Sequence, residues 1–250
     1  MNTRIGQENY NNQGCMMTII AYRNAKDIDV RFNDEFNTIV TNRTYNHFKK
    51  GTIKNPNHAS VCGIGILGIG TYDPKNHKDA YTVWREMIRR CYDSKFQNKY
   101  PTYISCEVCE DWHCFQIFCE WFYDNHYNIE GQTMALDKDI LCKGNKTYSP
   151  GTCCFVPQCI NKLFTKRDRN RGDLPIGVNY HKQHNKYQAN CSDGSGHFIY
   201  LGLYETPEEA FKVYKQYKEQ TIKDIAEEYK DVIPEVLYNA MINYEVEIED

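Results

Sequence analysis

The stretch IGVNYHKQHNKYQANCSDGSGHFIYLGLYETPEEAFKVYKQY, residues 176–217, decides the fold of its part of the chain because its hydrophobic period changes partway along. Up to Tyr204 the apolar residues alternate. Tyr187, Ala189 and Cys191 fall on one side of a strand, and Ile199, Leu201 and Leu203 do the same after the turn signal Asp193-Gly194-Ser195-Gly196. From Thr206 the period is helical. Thr206 is placed to cap a helix, Pro207 takes its first position and Glu209 completes a capping box. Ala210, Phe211, Val213, Tyr214 and Tyr217 then form an apolar stripe that can pack on the sheet. The expected element is a three-stranded antiparallel sheet plus helix, in a domain of residues 174–232, followed by a C-terminal helix and acidic tail over 233–250.

This block resembles the Apetala/ethylene-response-factor DNA-binding domain. The residues that carry the resemblance are Gly177-Val178, Lys186-Tyr187-Gln188-Ala189, Leu201-Gly202-Leu203-Tyr204, the helix start Thr206-Pro207-Glu208-Glu209-Ala210, and Tyr214. It implies that one sheet face enters the major groove of duplex DNA. Asn179, His181, Lys182, His184, Lys186, Gln188 and Asn190 would then face the nucleic acid, donating to phosphates or reading base edges. The family usually places arginines and a tryptophan on its first two strands, where this chain has His, Lys, Asn and Tyr, so its base preference does not transfer. A scaffold sheet with a solvated polar face is the competing reading.

The formal net charge of −3 over 250 residues argues against a uniformly basic nucleic-acid binder, but the charge is unevenly spread. Residues 162–190 hold seven Lys/Arg and two Asp/Glu, a net of +5, whereas residues 205–250 hold five against thirteen, a net of −8. The segment KLFTKRDRNR, residues 162–171, includes Arg167, Arg169 and Arg171 and suits a stretch that tracks a phosphate backbone. Neutralising five phosphates would make affinity fall with salt at a log–log slope of about −4 to −5. No apolar run approaches the ~20 residues of a membrane span. The polar opening MNTRIGQENYNNQG is unlike a secretory leader. A cytoplasmic setting with no membrane partner is therefore expected, in which the 12 cysteines are reduced thiols.

Fold class is read as α+β. Residues 1–62 form a small β-barrel-like module, with strands around Met17-Thr18-Ile19-Ile20-Ala21-Tyr22 and Ile28-Asp29-Val30-Arg31-Phe32. Such modules bind nucleic acid or a protein partner, or act as spacers. The run Gly63-Ile64-Gly65-Ile66-Leu67-Gly68-Ile69-Gly70 contains G-x-G-x-x-G but ends in the turn Thr71-Tyr72-Asp73-Pro74, so it reads as a flexible linker or bulged strand rather than a dinucleotide site. Two helical stripes follow, Tyr81, Trp84, Met87, Ile88 and Cys91, then Trp112, Phe115, Phe118, Cys119 and Phe122, with a Tyr-rich loop from Tyr92 to Tyr103 between them.

The central module, residues 78–168, resembles phage and mobile-element proteins classed with HNH endonucleases. The resemblance runs through Trp84, Met87, Arg90-Cys91-Tyr92, Tyr103, Val108-Cys109-Glu110-Asp111-Trp112, Phe115, Leu136-Asp137-Lys138, Gly144-Asn145, Tyr148-Ser149-Pro150, Thr152-Cys153-Cys154-Phe155 and Asn161. With the C-terminal domain behind it, the chain is similar to homing endonucleases of the HNH type, found in a bacterial host when phage-encoded. Such a site is a ββα unit holding Mg2+ or a similar ion, with a histidine as general base. The resemblance implies Asp137, Asp139 and Asn161 as metal ligands and puts Lys138 where the histidine belongs. A lysine would have to lose its proton before it could act as a base. Three readings stay open: a divergent hydrolase that cleaves DNA, with Asp137 and Lys138 as catalytic residues; a module that binds DNA without cutting it, as a regulator or a phage factor acting on a host protein; and a zinc-stabilised module built on Cys106, Cys109, His113, Cys114, Cys119, Cys153, Cys154 and Cys159. Core thiols are the plainer account of those cysteines.

Overall fold

A computed structural model describes residues 4–165, 173–192, 197–248 and 250. The chain is α+β, with several small sheets, and divides into two compact units, Met1–Asp124 and Asn125–Asp250. That division falls inside the stretch expected to be one HNH-like module. The two aromatic helices belong to the first unit and the ββα segment to the second.

In the first unit, β1 (Glu8–Tyr10), β2 (Met16–Asn24), β3 (Asp27–Phe32) and β4 (Ile39–Arg43) form an open antiparallel sheet in that order. Alternation buries Met17 and Ile19 against Ile28, Val30 and Phe32. Phe48 of the short helix α1 (Tyr45–Lys49), Val40 and Ile53 complete the core. The expected barrel does not close. β1 pairs over only three residues, and the core is covered by α1 and the segment through Ile53 rather than by a joined edge. The glycine-rich run is a packed strap rather than a linker. Val61 bridges Gly65, Ile66 bridges Cys114, and the Gln116 amide donates to Leu67 O (2.9 Å) and Tyr72 O (2.8 Å).

The amphipathic helix α2 (Lys78–Tyr92) buries Ala80, Trp84, Met87, Ile88 and Cys91, and Trp84 Nε1 donates to Trp112 O at 2.8 Å. Within the Tyr-rich stretch, Asp93 accepts from Phe96 N (2.9 Å) and so caps a further helix, α3 (Ser94–Lys99). A helical turn at Pro101–Tyr103, the two-residue strand β5 (Glu107–Val108) and α4 (Phe115–Asn125) follow. α4 buries Phe115, Phe118, Cys119 and Phe122 of the expected stripe, whereas Trp112 is buried from a separate turn at Glu110–His113 that precedes the helix.

In the second unit, β6 (Met134–Asp137) pairs antiparallel with β8 (Cys154–Pro157), and α5 (Gln158–Leu163) leaves β8 directly; the two-residue strand β7 (Thr147–Tyr148) lies between them in sequence. β9 (Val178–His181), β10 (Lys186–Ser192) and β11 (Phe198–Tyr204) form a second antiparallel sheet with β10 in the middle. Helix α6 (Pro207–Tyr229) starts with the predicted capping box: Thr206 Oγ1 accepts from Glu209 N and Glu209 Oε2 from Thr206 N. Its buried positions recur every four residues, Ala210, Tyr214, Lys218, Ile222 and Ala226, so Lys218 joins the stripe. Ala210 and Tyr214 pack on the sheet with Val178, Ala189 and Cys191. Ile222 and Ala226 pack with Ile140, Val156, Ile160 and Leu163, and with Leu237 and Met241 of α7 (Glu235–Ile242). One 23-residue helix therefore serves both cores, and the ββα segment and the sheet share it as a common support. The C-terminal segment is tied back to α6, with Lys215 Nζ donating to Val246 O (2.7 Å) and Glu219 Oε1 accepting from Val246 N (2.8 Å). Among the described residues, no helix is long and apolar enough to cross a membrane.

Candidate functional site

The β9–β11 sheet keeps its small and apolar residues on the α6 side, and the register assigns the other side. Directly opposed residues in antiparallel strands share a face. Lys186 opposes His181, and Gln188 opposes both Asn179 and Leu203. Asn190 opposes Tyr200, and Ser192 opposes Phe198. The outer face is thus a row of amides, an imidazole and a lysine, edged by two rings. Tyr200 is 59% and Phe198 62% exposed. Sequence alternation alone puts Leu203 on the inner face with Ile199 and Leu201. The structure moves it outward, because a bulge between Ala189 and Asn190 of β10 and Leu201–Gly202 of β11 shifts the phase. Gly202 has a φ of +128°, which few side chains tolerate, and Tyr204 folds back to donate to Leu201 O at 2.8 Å. Tyr200 and Phe198 are the outer-face residues that sequence reasoning missed. The glycine inside an otherwise regular strand was the available signal.

Local bonds order this face. Gln188 Nε2 donates to Asn190 Oδ1 at 2.9 Å, which holds the two amides side by side and, among the described residues, leaves the Gln188 carbonyl and the Asn190 amino group without another hydrogen bond. Lys186 Nζ pairs with Glu205 at 2.7 Å, and this hydrogen bond raises the lysine further above its usual range. At the β9–β10 turn, the Nδ1 atoms of His181 and His184 lie at hydrogen-bond distance, 3.0 Å apart, beside the exposed Lys182. Gly177, at a φ of +78°, lies flat on the Tyr214 ring, and a Cβ there would overlap the ring. Arg167, Arg169 and Arg171 lie outside the described residues, as does the turn at 193–196.

The ββα segment brings Asp137 and Asp139 together. Asp137 Oδ1 accepts from the backbone N–H groups of Asp139 (2.9 Å) and Ile140 (2.8 Å). Loss of hydration and the neighbouring Asp139 carboxylate raise the Asp137 carboxyl to about 6. Lys138 is buried. Its ammonium donates to Asn145 O (3.0 Å) and Asp139 Oδ2 (3.2 Å), and Asn145 Nδ2 in turn donates to Lys138 O and Thr147 O. The lysine at the histidine position therefore laces the loop between β6 and β7. Asn161 sits on α5 and, among the described residues, makes no hydrogen bond to either carboxylate. Two crowded carboxylates suit a divalent cation, which would relieve their repulsion; the Lys138 ammonium supplies part of that relief. Among the described residues, no group of three or more His, Cys, Asp or Glu side chains is gathered to hold a metal. Burial pushes the Cys119 and Cys153 thiols up to about 12 and Cys154 higher still, as befits core thiols.

No protein-family model, curated protein or solved structure matches the chain.

Proposed function

We propose that the chain is a duplex DNA-binding protein of the HNH homing-endonuclease type, which docks the outer face of β9–β11 in the major groove. The observation that carries this reading is the ordered row of Asn179, His181, Lys186, Gln188 and Asn190 on a face whose reverse side holds the core. Two strand spacings make the sheet backbone about 10 Å across, against a major groove of about 12 Å. The Gln188–Asn190 amide pair has the acceptor-and-donor pattern that reads a base edge, and Lys186 suits a phosphate. The resemblance of residues 176–217 to the Apetala/ethylene-response-factor domain supports the same orientation. Electrophoretic mobility shifts against a random duplex pool provide the test. Lys186→Ala is expected to weaken binding to all sequences, and Gln188→Ala to change the selected sequences more than the affinity. If neither variant differs from wild type, the sheet face is not the docking surface.

Phosphodiester cleavage is the second part of the proposal. It rests on Asp137, whose raised carboxyl beside Asp139 is a site that Mg2+ or Mn2+ would favour. The burial and loop-lacing bonds of Lys138 favour the other reading, a binder that does not cut: a regulator, or a phage factor acting on a host protein. Plasmid nicking in Mg2+ or Mn2+ separates the two. Cleavage by wild type and none by Asp137→Ala supports the nuclease; no cleavage by wild type at any metal concentration leaves the binder.

A further inference from the structure

The surface made by α2, α3 and the turn at Pro101–Tyr103 interleaves cations with aromatic rings. The Arg89 guanidinium lies over Phe96 (4.9 Å to the ring centroid), Arg90 over Tyr103 (5.9 Å) and the Lys99 ammonium over Tyr100 (5.3 Å). Phe96 touches both Tyr100 (4.8 Å) and Tyr103 (5.6 Å), so these six side chains form one continuous cluster. Its geometry is set in advance. The chain reverses at Asp93, which caps α3, and the Gln97 amide donates to Cys91 O and Tyr103 O, tying α2, α3 and the turn together.

The charge of this patch runs against that of the chain. Residues 85–99 carry five Lys/Arg and two Asp/Glu, a net of +3 in a protein of net −3. Glu86 is already held by Arg85 (3.4 Å) and Arg89 (3.0 Å), yet those arginine side chains remain 49% and 46% exposed. Tyr100 is 42% exposed. The partner that complements this surface is anionic, and the rings choose among anions. An acidic peptide would satisfy the cations and leave the rings unused. A duplex presents phosphates but hides its base faces within the stack. An unpaired strand presents both, and a guanidinium already lying on a ring keeps its outer face for a base.

We propose that this cluster is a second nucleic-acid site, distinct from the β9–β11 sheet, which binds unpaired strands through phosphate contacts to Arg85, Arg89 and Lys99 and base stacking at Tyr100. The test uses the full chain, with fluorescence anisotropy of a short labelled oligothymidylate and of a blunt mixed-sequence duplex. Tyr100→Ala is expected to lose about five-fold or more of the oligothymidylate affinity and none of the duplex affinity. The double variant Arg89→Glu, Lys99→Glu is expected to lose more and to flatten the salt dependence. Both variants change exposed side chains, and an unchanged thermal midpoint checks that they fold. Lys186→Ala is expected to weaken duplex binding and leave oligothymidylate binding unchanged, so failure of the sheet reading and failure of this one are distinguishable. Unchanged oligothymidylate binding in both variants overturns the proposal. So does an equal loss of single-strand and duplex affinity. Displacement of the oligothymidylate by polyglutamate, equally from wild type and Tyr100→Ala, would instead mark a surface for acidic peptides.

Discussion

The two antiparallel sheets, β1–β4 and β9–β11, are similar in size and differ in how they use their polar side chains. On the first, the best-ordered charges are paired with each other. Arg23 donates to both Asp27 and Asp29 with distances of 2.6–2.9 Å, and these bonds hold both carboxyls below their usual range. Arg4 lies over the rings of Tyr22 and Tyr45. On the second, the outer face carries amides, an imidazole, a lysine and exposed rings. Gln188 bonds Asn190 and Lys186 pairs with Glu205, and among the described residues the two amides keep a carbonyl and an amino group that make no other hydrogen bond. In the proposed function the first sheet is scaffold and the second is the docking face, because the second carries the row of amides able to meet base edges.

The largest effect that would break this comparison lies under the second sheet. Gly177→Ala sets a methyl group into the Tyr214 ring at a left-handed backbone position. It is expected to cost on the order of 3 kcal/mol, read as a lowered midpoint in urea denaturation, and to abolish duplex binding by unseating β9. A wild-type midpoint would show that the ring moves aside freely.

A smaller effect, on the order of 2 kcal/mol, is expected at Asp137. Its carboxyl is raised in the folded protein, so the neutral form is the one that suits the fold. The resulting stability is complete below pH 3.8 and is lost as pH rises through about 6. Asp137→Asn keeps an oxygen for the Asp139 and Ile140 N–H groups and removes the charge. It should match wild type in denaturation at pH 3.5 and exceed it at pH 8; a constant difference between the two would contradict this.

Lys218 sits in the core stripe of α6, 7% exposed, and among the described residues no hydrogen bond or ion pair reaches it. Burial lowers its ammonium below the usual lysine range. Lys218→Met is expected to stabilise the protein by about 1–2 kcal/mol at neutral pH. The gain should shrink as pH rises toward 10.5, because the wild-type lysine then folds uncharged. A loss of stability would mean that the ammonium has a use in the fold.

The smallest effect is at Arg23. Arg23→Ala should lower the thermal midpoint only slightly at low salt and not at all at high salt, with duplex affinity unchanged. A loss of binding there would assign the first sheet a role beyond scaffold.

Much of the C-terminal architecture was legible from local chemistry. The capping box at Thr206 and Glu209, the helical stripe from Ala210 and the alternation through Tyr187, Ala189 and Cys191 each depend on neighbours a few residues away. The structure keeps all three. The nearness of Asp137 and Asp139 was legible too, since they stand two residues apart at the end of β6, where Asp137 accepts from the Asp139 and Ile140 N–H groups. What local pattern could not supply was phase and partnership. The bulge opposite Ala189 and Asn190 turns Leu203 outward, and alternation has no means of announcing an extra residue. The role of Lys138 depends on Asn145, seven residues on, and the shared core under Ile222 and Ala226 depends on segments far apart in the chain.

By itself, then, the amino-acid order determined the strands and the capped helix of the C-terminal sheet and the apolar stripes of α2 and α4, because capping, alternation and turn chemistry act over three or four residues. Only the tertiary structure decided that one long helix supports two cores, that a lysine braces the loop at the carboxylates, and that cations of α2 and α3 stack on rings beyond Asp93. Those are long-range contacts, chosen by burial and close packing among distant segments, and packing is a property of the whole arrangement rather than of any stretch within it.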